Sequence, residues 1–221
     1  HPHQTSWGVS TRMIGGIIMT HGDNNGLVLP PKVAPIQVVI LPVAQHKPGV
    51  LEAANGLKDR LINAGLRVKL DDSDNSMGWK CAEYEMKGVP VRIEVGPRDI
   101  EKGQAVLFRR DTLEKETVAL CDLTARVCEL MGVIQANMLE KSRNFRDSRV
   151  KTVTTVEEML TALDGKNFTK AAWCGDRACE EAIKEKTAAT SRVMTDDELV
   201  SDVCVCCGKK ADKMLYWGKA Y

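Results

Sequence analysis

The run Ile36-Gln37-Val38-Val39-Ile40-Leu41 narrows the possible folds of this chain more than any other stretch. It is short, rich in β-branched residues and free of charge, which is the pattern of a strand buried on both faces. Such a strand needs covering layers on two sides, and the following residues supply them. Val50 to Ala64 carries Val50, Ala54, Leu57 and Leu61 on one helical face, with Gly65 as a stop. Arg67 to Leu70 reads as a second strand and Trp79 to Met86 as a second helix. Val89, Val91, Ile93 and Val95 alternate with Pro90, Arg92 and Glu94, so this third strand packs one face and presents Arg92 and Glu94 on the other. Gln104–Arg109 and Glu116–Leu120 read as a hairpin, or a strand pair, turning at Asp111-Thr112. Leu120, Leu123, Val127, Leu130, Ile134 and Met138 then mark a long amphipathic helix. Strands alternating with helices over residues 35 to 140 predict an α/β layer fold, with helices flanking a mixed sheet.

Two flanking regions differ. On the N-terminal side, Met13, Ile14, Ile17 and Ile18 recur at helical spacing between Ser10 and His21. Gly22 to Gly26 breaks that helix, and Leu27 to Pro35, with Pro30, Pro31 and Pro35, reads as an extended linker. On the C-terminal side the composition shifts from Thr152. A helix over Val156–Leu163 closed by Gly165, a strand ending at Ala171-Ala172-Trp173 and a helix over Asp176–Lys186 outline a small α/β domain. At about 70 residues a single core is marginal, and a metal staple helps. The final Leu215-Tyr216-Trp217-Gly218-Lys219-Ala220-Tyr221 reads, on physical grounds alone, as a frayed end.

The staple is visible in the cysteines. Cys174 and Cys179 form one pair, and Cys204, Cys206 and Cys207, followed by Gly208, offer a second. This spacing matches a tetrahedral structural zinc site that four thiolates would close, leaving no open position. Cys174, Cys179, Cys204 and Cys207 are the expected ligands. A Cys-x-Cys grip through Cys206 and a set of unmetallated buried thiols stand as alternatives. Cys81, Cys121 and Cys128 fit no ligand pattern and are expected in cores.

Composition excludes several classes. With 43% hydrophobic residues over 221 positions the chain is expected to fold into compact cores. It has no membrane-length apolar run and opens on no secretory signal, so a cytoplasmic setting is the default expectation. Eight cysteines in that setting argue for metal ligation or free thiols before disulfides. A formal net charge of +1 gives no global pull on nucleic acid, so any RNA binding needs a local basic face. Arg109-Arg110 and the cluster Arg143, Arg146, Arg149 and Lys151 are candidate phosphate contacts or, equally, basic helix ends. Nucleotide fingerprints with Gly-x-Gly-x-x-Gly or Gly-x-x-x-x-Gly-Lys are lacking, and His1, His3, His21 and His46 form no constellation.

The stretch from Gln4 to Pro31 carries a further signal. Trp7-Gly8, the hydroxyls around Ser10-Thr11, and Arg12 at the mouth of an apolar helix suit a nucleotide pocket: glycine admits close approach, hydroxyls donate and accept, and guanidinium stacks on adenine. An ordinary strand end and helix start reads equally well. The residues Thr5-Ser6-Trp7-Gly8-Val9-Ser10-Thr11-Arg12-Met13-Ile14-Gly15, Met19-Thr20-His21-Gly22-Asp23-Asn24 and Gly26 to Pro31 resemble the third signature motif and following linker of prolyl-tRNA synthetases, in the version found in eukaryotes and archaea. Lys80, Gly88 to Arg92 and Glu94-Val95-Gly96-Pro97-Arg98-Asp99 resemble the best-marked stretch of that family's anticodon-binding domain.

The resemblance implies three parts. Residues 1–34 would end a class II catalytic domain, 35–145 would be the α/β anticodon-binding domain, and 146–221 a small zinc-binding-like domain. Arg12 would contact the adenine of ATP with Ser10 beside it, and Trp7 and Gly8 would floor the proline pocket. Arg92, Glu94 and Arg98 would read the guanines of the proline anticodon. The cysteine ligands agree with the family's C-terminal domain, although some members lack them, and a terminal Tyr such as Tyr221 would turn back toward the catalytic domain. The activity implied is ATP- and Mg²⁺-dependent attachment of proline to its tRNA through prolyl-adenylate. His1-Pro2-His3 opens directly on the motif, and the two earlier signature motifs are not in the sequence. The expectation is therefore a C-terminal portion of a longer enzyme, dimeric through the part not included and inactive alone. The competing expectation is a non-catalytic RNA-binding or scaffolding module derived from a synthetase.

Overall fold

A computed structural model describes residues 4–220; His1, His3 and Tyr221 lie outside them. The chain divides into two compact units, His1–Ser142 and Arg143–Tyr221.

The first unit contains α1 (Arg12–His21), β1 (Val38–Pro42), α2 (Val50–Asn63), β2 (Val68–Leu70), α3 (Met77–Met86), β3 (Val91–Val95), α4 (Pro97–Glu101), β4 (Gln104–Arg109), β5 (Lys115–Ala119) and the start of α5 (Leu123–Ser148). Its sheet runs β2-β1-β3-β4-β5, parallel across the first three strands and antiparallel across the last three. The uninterrupted apolar character of β1 has a direct cause. Val38 and Ile40 pack with Ala54, Leu57 and Leu61 of α2 and with Leu123, Val127, Leu130, Ile134 and Met138 of α5. Val39 and Leu41 point the other way, into a second cluster with Tyr84 and Val89. Burying each such side chain contributes roughly 1.5–3 kcal/mol. Ser76 caps α3 by accepting from the Trp79 N–H at 3.3 Å.

The linker is not a free tether. Leu27 N–H donates to the Met86 carbonyl at 2.9 Å and Leu29 N–H to that of Gly88 at 3.2 Å. Arg67 donates to the carbonyls of Pro31 and Ala34, both at 2.8 Å. Prolines cannot donate to a ladder, but their carbonyls accept, and those acceptors dock this segment. The approach is close enough to require glycine: a Cβ on Gly26, at φ +129°, would lie 2.5 Å from Met86 Cα. By contrast α1 buries none of its residues; Met13, Ile14, Ile18 and Met19 are exposed.

The second unit contains the end of α5, β6 (Val150–Thr152), α6 (Val156–Asp164), β7 (Phe168–Trp173), α7 (Arg177–Thr187), β8 (Ala189–Thr195) and β9 (Lys213–Lys219). The sheet order is β6-β7-β9-β8. Reading the C-terminal aromatics as a frayed end is wrong: β9 pairs antiparallel with β7 on one side and β8 on the other, and Trp217 is fully buried. Met159 and Leu163 of α6 and Ile183 of α7 pack with Ala171, Leu215 and Trp217 against this sheet. Cys81 joins an apolar cluster as expected, but Cys121 and Cys128 are exposed, because both fall on the solvent side near and along α5, off the Leu123–Val127–Leu130 stripe.

Candidate nucleic-acid face and metal centre

Arg92 lies on β3 directly opposite Phe108 of β4. Its guanidinium stacks over that ring at 4.1 Å, donates from Nη1 to Glu85 Oε1 at 2.8 Å and from Nε to Glu94 Oε1 at 3.0 Å. Lys115 of β5 donates to both Glu94 oxygens at 3.2 Å. Arg92 is only 5% exposed, so it is not freely presented to solvent; Phe108 and the α3 carboxylate of Glu85 close over it. The result is a guanidinium held between two acceptors, which fixes the Glu85 and Glu94 carboxylates at this face. Arg98, one turn beyond the strand on α4, is exposed. Gly96, the N-cap of that helix, donates its N–H to Asp99 Oδ2 at 3.0 Å. Guanidinium donors and carboxylate acceptors on one sheet face are the chemistry that reads base edges in single-stranded RNA.

Arg109 and Arg110 are withdrawn from the candidate phosphate contacts. Arg109 is clamped by Asp111 through Nε at 3.1 Å and Nη2 at 2.8 Å. Arg110, 1% exposed, is paired with Asp23. Both guanidiniums are engaged by carboxylates, and that of Arg110 is buried. Arg143, Arg146, Arg149 and Lys151 are exposed; Arg146 pairs with Asp147 and Arg149 lies over the Phe145 ring.

Sequence reasoning missed a polar cluster at the other end of α3. Buried Lys80 donates to the Asp71 carbonyl at 3.0 Å, Tyr84 O–H donates to Asp71 Oδ2 at 3.0 Å, and Ser73 Oγ donates to Asp71 Oδ1 at 2.6 Å. Burial pushes the Asp71 carboxyl up, but these donors together outweigh it and hold the group below its ordinary value. Burial and then the hydrogen bond to Asp71 push the Tyr84 hydroxyl upward. Lys80, Gln45, His46 and Asn75 line an open cavity of ≈ 270 Å³ beside this cluster. A lysine at i and a tyrosine at i+4 on α3 was the available signal, but it does not reveal Asp71, which arrives from the end of β2.

The cysteines converge because backbone pairing forces them to. β7 ends at Trp173 and delivers Cys174; the first turn of α7, capped by Asp176 accepting from Ala178 N–H at 2.9 Å, delivers Cys179. The loop bearing Cys204 and Cys207 is pinned beside them by Val205 N–H to the Ala172 carbonyl at 3.0 Å and Asp212 N–H to the Trp173 carbonyl at 2.8 Å. Gly208, at φ +69°, turns that loop so that its N–H bonds the Cys204 carbonyl at 3.0 Å. The four Sγ atoms of Cys174, Cys179, Cys204 and Cys207 lie within 4.8 Å of one another, with Cys174–Cys179 at 3.6 Å and Cys174–Cys207 at 3.7 Å. A tetrahedron with bonds of about 2.3 Å has edges of about 3.8 Å, so the donor set fits a zinc ion. Cys206 is outside this group and packs against the apolar core instead. Burial raises Cys174 and Cys179, whereas the Lys209 backbone N–H draws the exposed Cys207 down to about 7. The cluster can hold a metal ion.

Trp7, Gly8, Ser10 and Arg12 are all exposed, and Trp7 is 93% so. Ser10 Oγ accepts from the Arg12 N–H at 3.4 Å at the entrance to α1. The structure brings these four onto one short segment and encloses none of them. No helix among the described residues is long and apolar enough to cross a membrane.

Comparisons with known proteins bear on the chain as a whole. A family model described as the anticodon binding domain matches residues 37–130, and one described as the C-terminal region of prolyl-tRNA synthetase matches residues 156–221. The chain is 57% identical over 223 residues to a proline–tRNA ligase of Clostridium botulinum, covering 100% of the chain and 46% of that relative. It is 57% identical over 221 residues to the ligase of Ruminiclostridium cellulolyticum, covering 99% of the chain and again 46% of the relative. The solved prolyl-tRNA synthetase of Cryptosporidium parvum, complexed with L-proline and AMP, superposes with a TM-score of 0.90 at 38% identity, over 96% of this chain and 46% of that one. The chain thus spans about half the length of the relatives it matches. Sequence similarity along the whole chain, the two domain matches and the shared fold place it in the prolyl-tRNA synthetase family.

Proposed function

We propose that this chain supplies the tRNA-reading and structural part of a proline–tRNA ligase. In the complete enzyme, a proline carboxylate oxygen attacks the α-phosphorus of ATP, giving prolyl-adenylate and releasing pyrophosphate. A hydroxyl at the tRNA 3′ end then attacks the prolyl carbonyl and releases AMP. Residues 1–34 contribute one wall of the catalytic site, with Arg12 and Ser10 toward ATP and Trp7 and Gly8 toward proline. Mg²⁺, when bound, neutralises phosphate charge there. Residues 35–145 read the anticodon through Arg92, Glu94 and Arg98. Residues 146–221 form a domain stapled by zinc on Cys174, Cys179, Cys204 and Cys207. The enzyme acts in the cytoplasm as a homodimer assembled through segments other than this one.

The observation carrying this reading is the match of residues 37–130 to the anticodon binding domain, whose sheet here holds Glu94 in place through Arg92 beside the exposed Arg98. Because Arg98 is exposed, Arg98→Ala tests the face without disturbing the core. In the complete enzyme it is expected to lower tRNA charging by about tenfold or more, the effect of losing one good bidentate base contact, while proline-dependent pyrophosphate exchange stays unchanged. Equal losses in both assays would refute anticodon reading by this face.

A further inference from the structure

The segment following α1 is bolted to the part of the sheet that carries Arg92. Arg110 is buried at 1% exposure and makes three side-chain bonds: Nη1 to Asp23 Oδ2 at 2.7 Å, Nη2 to Asp23 Oδ1 at 2.5 Å, and Nε to the Glu85 carbonyl at 3.0 Å. Glu85 is also the residue whose carboxylate accepts from Arg92. One residue therefore faces the candidate anticodon group with its side chain and the buried Arg110 with its main chain. Asp23 sits two residues beyond the end of α1, in the turn where Asp23 and Gly26 exchange N–H···O bonds at 3.0 and 3.2 Å. Leu27 N–H is bonded to the Met86 carbonyl next to Glu85, and Gly88 presses on Leu27 so closely that a Cβ there would lie 2.7 Å from its backbone.

We propose that Asp23 and Arg110 are positioning residues that transmit occupancy of the Arg92 face, through Glu85, to α1 and the catalytic wall it carries. This rests on the anticodon reading above. A base that competes for the Glu85 carboxylate, which is 26% exposed, shifts the last turn of α3, and the bidentate Arg110–Asp23 clamp is the rigid link by which that shift reaches residues 12–21. Guanidinium suits the task because its fork fixes orientation as well as distance. The arrangement makes anticodon identity felt in the rate of prolyl transfer, not only in tRNA affinity.

The test uses the complete ligase carrying Asp23→Asn, which loses the charge of the more exposed partner and keeps its volume, together with Asp23→Glu and Arg92→Lys. Kinetics of charging are measured with proline tRNA and with a tRNA altered at one anticodon guanine, beside tRNA-independent pyrophosphate exchange. For Asp23→Asn, exchange stays within about twofold of wild type, KM for tRNA is unchanged, and the kcat preference for the correct anticodon falls by about tenfold, within the usual range for coupling between sites. Asp23→Glu recovers most of the preference, which a merely structural role does not predict. Wild-type kcat preference in Asp23→Asn, with the preference lost in Arg92→Lys, would overturn the coupling and leave the anticodon reading intact. Undiminished preference in Arg92→Lys would overturn the reading itself. An equal fall of exchange and charging in Asp23→Asn would show only a local structural defect, and would also overturn the coupling.

Discussion

Replacing Cys179 by serine is the sharpest test of the metal centre. Cys179 and Cys204 are the two buried members of the cluster, at 7% and 3% exposure, and Cys204 lies on the loop that Val205 and Asp212 tie to the end of β7. Cys179→Ser removes one of the four thiolates that would close the site, so it is expected to lose the ion. An ion that binds only the folded unit stabilises it by about 4 kcal/mol when present at a thousandfold excess over its Kd. For a unit of this size each kcal/mol moves the melting temperature by roughly 4–8 °C, so the drop is on the order of 20 °C. The assays are metal quantification of the purified chain and calorimetry with and without a chelator. Wild type is expected to hold one zinc ion per chain, and Cys179→Ser almost none. Cobalt substitution should add thiolate charge-transfer bands that Cys206→Ser retains. The reasoning fails if the wild-type chain is metal-free and its melting is indifferent to chelator and added zinc, or if Cys206→Ser loses the ion as completely as Cys204→Ser.

Trp217→Ala should cost about 3–5 kcal/mol, because the side chain is fully buried among Met159, Leu163 and Ile183. Calorimetry should show the loss in the second unit's transition, and a loss below about 1 kcal/mol would contradict the placement of β9. Asp71→Asn should destabilise the first unit by about 1–3 kcal/mol at neutral pH, since the carboxylate accepts from Ser73 and Tyr84 and faces Lys80. Its folded value lies below the unfolded value near 3.8, so this contribution is complete above that value and disappears as the pH falls through the lower folded one. Urea titrations at a series of pH values should therefore show wild type and variant converging only under strongly acid conditions. A difference independent of pH would refute the assignment.

Period and polarity made much of the first unit legible in advance. Val38 to Leu41 and the stripes on α2 and α5 follow from burial alone. What escaped was decided by partners distant in sequence. Arg110 looks like half of a basic pair until Asp23 comes beside it from 87 residues away. Arg92 alternates as an exposed residue does, yet Phe108 and Glu85 cover it. In the second unit β8 carries Thr, Ser and Arg with little periodic signal, and β9 is a strand because it fills the gap between β7 and β8. The cysteine spacing pointed to the thiol cluster, but choosing between Cys204 and Cys206 requires the turn at Gly208, a backbone property.

The sheet order β6-β7-β9-β8 also bears on how the second unit comes into being. Among the described residues β8 has no ladder partner except β9, so the strand made earlier waits, edge open, for the one made later. A nascent or truncated chain lacking Lys213–Lys219 would present two unpaired edges at once, those of β7 and β8, the condition under which foreign strands add. Insertion of β9 seals both in one step and joins the two halves of the sheet across Trp217. Assembly of the unit is thus set by its last strand, and chaperone demand should peak in the interval before that strand arrives.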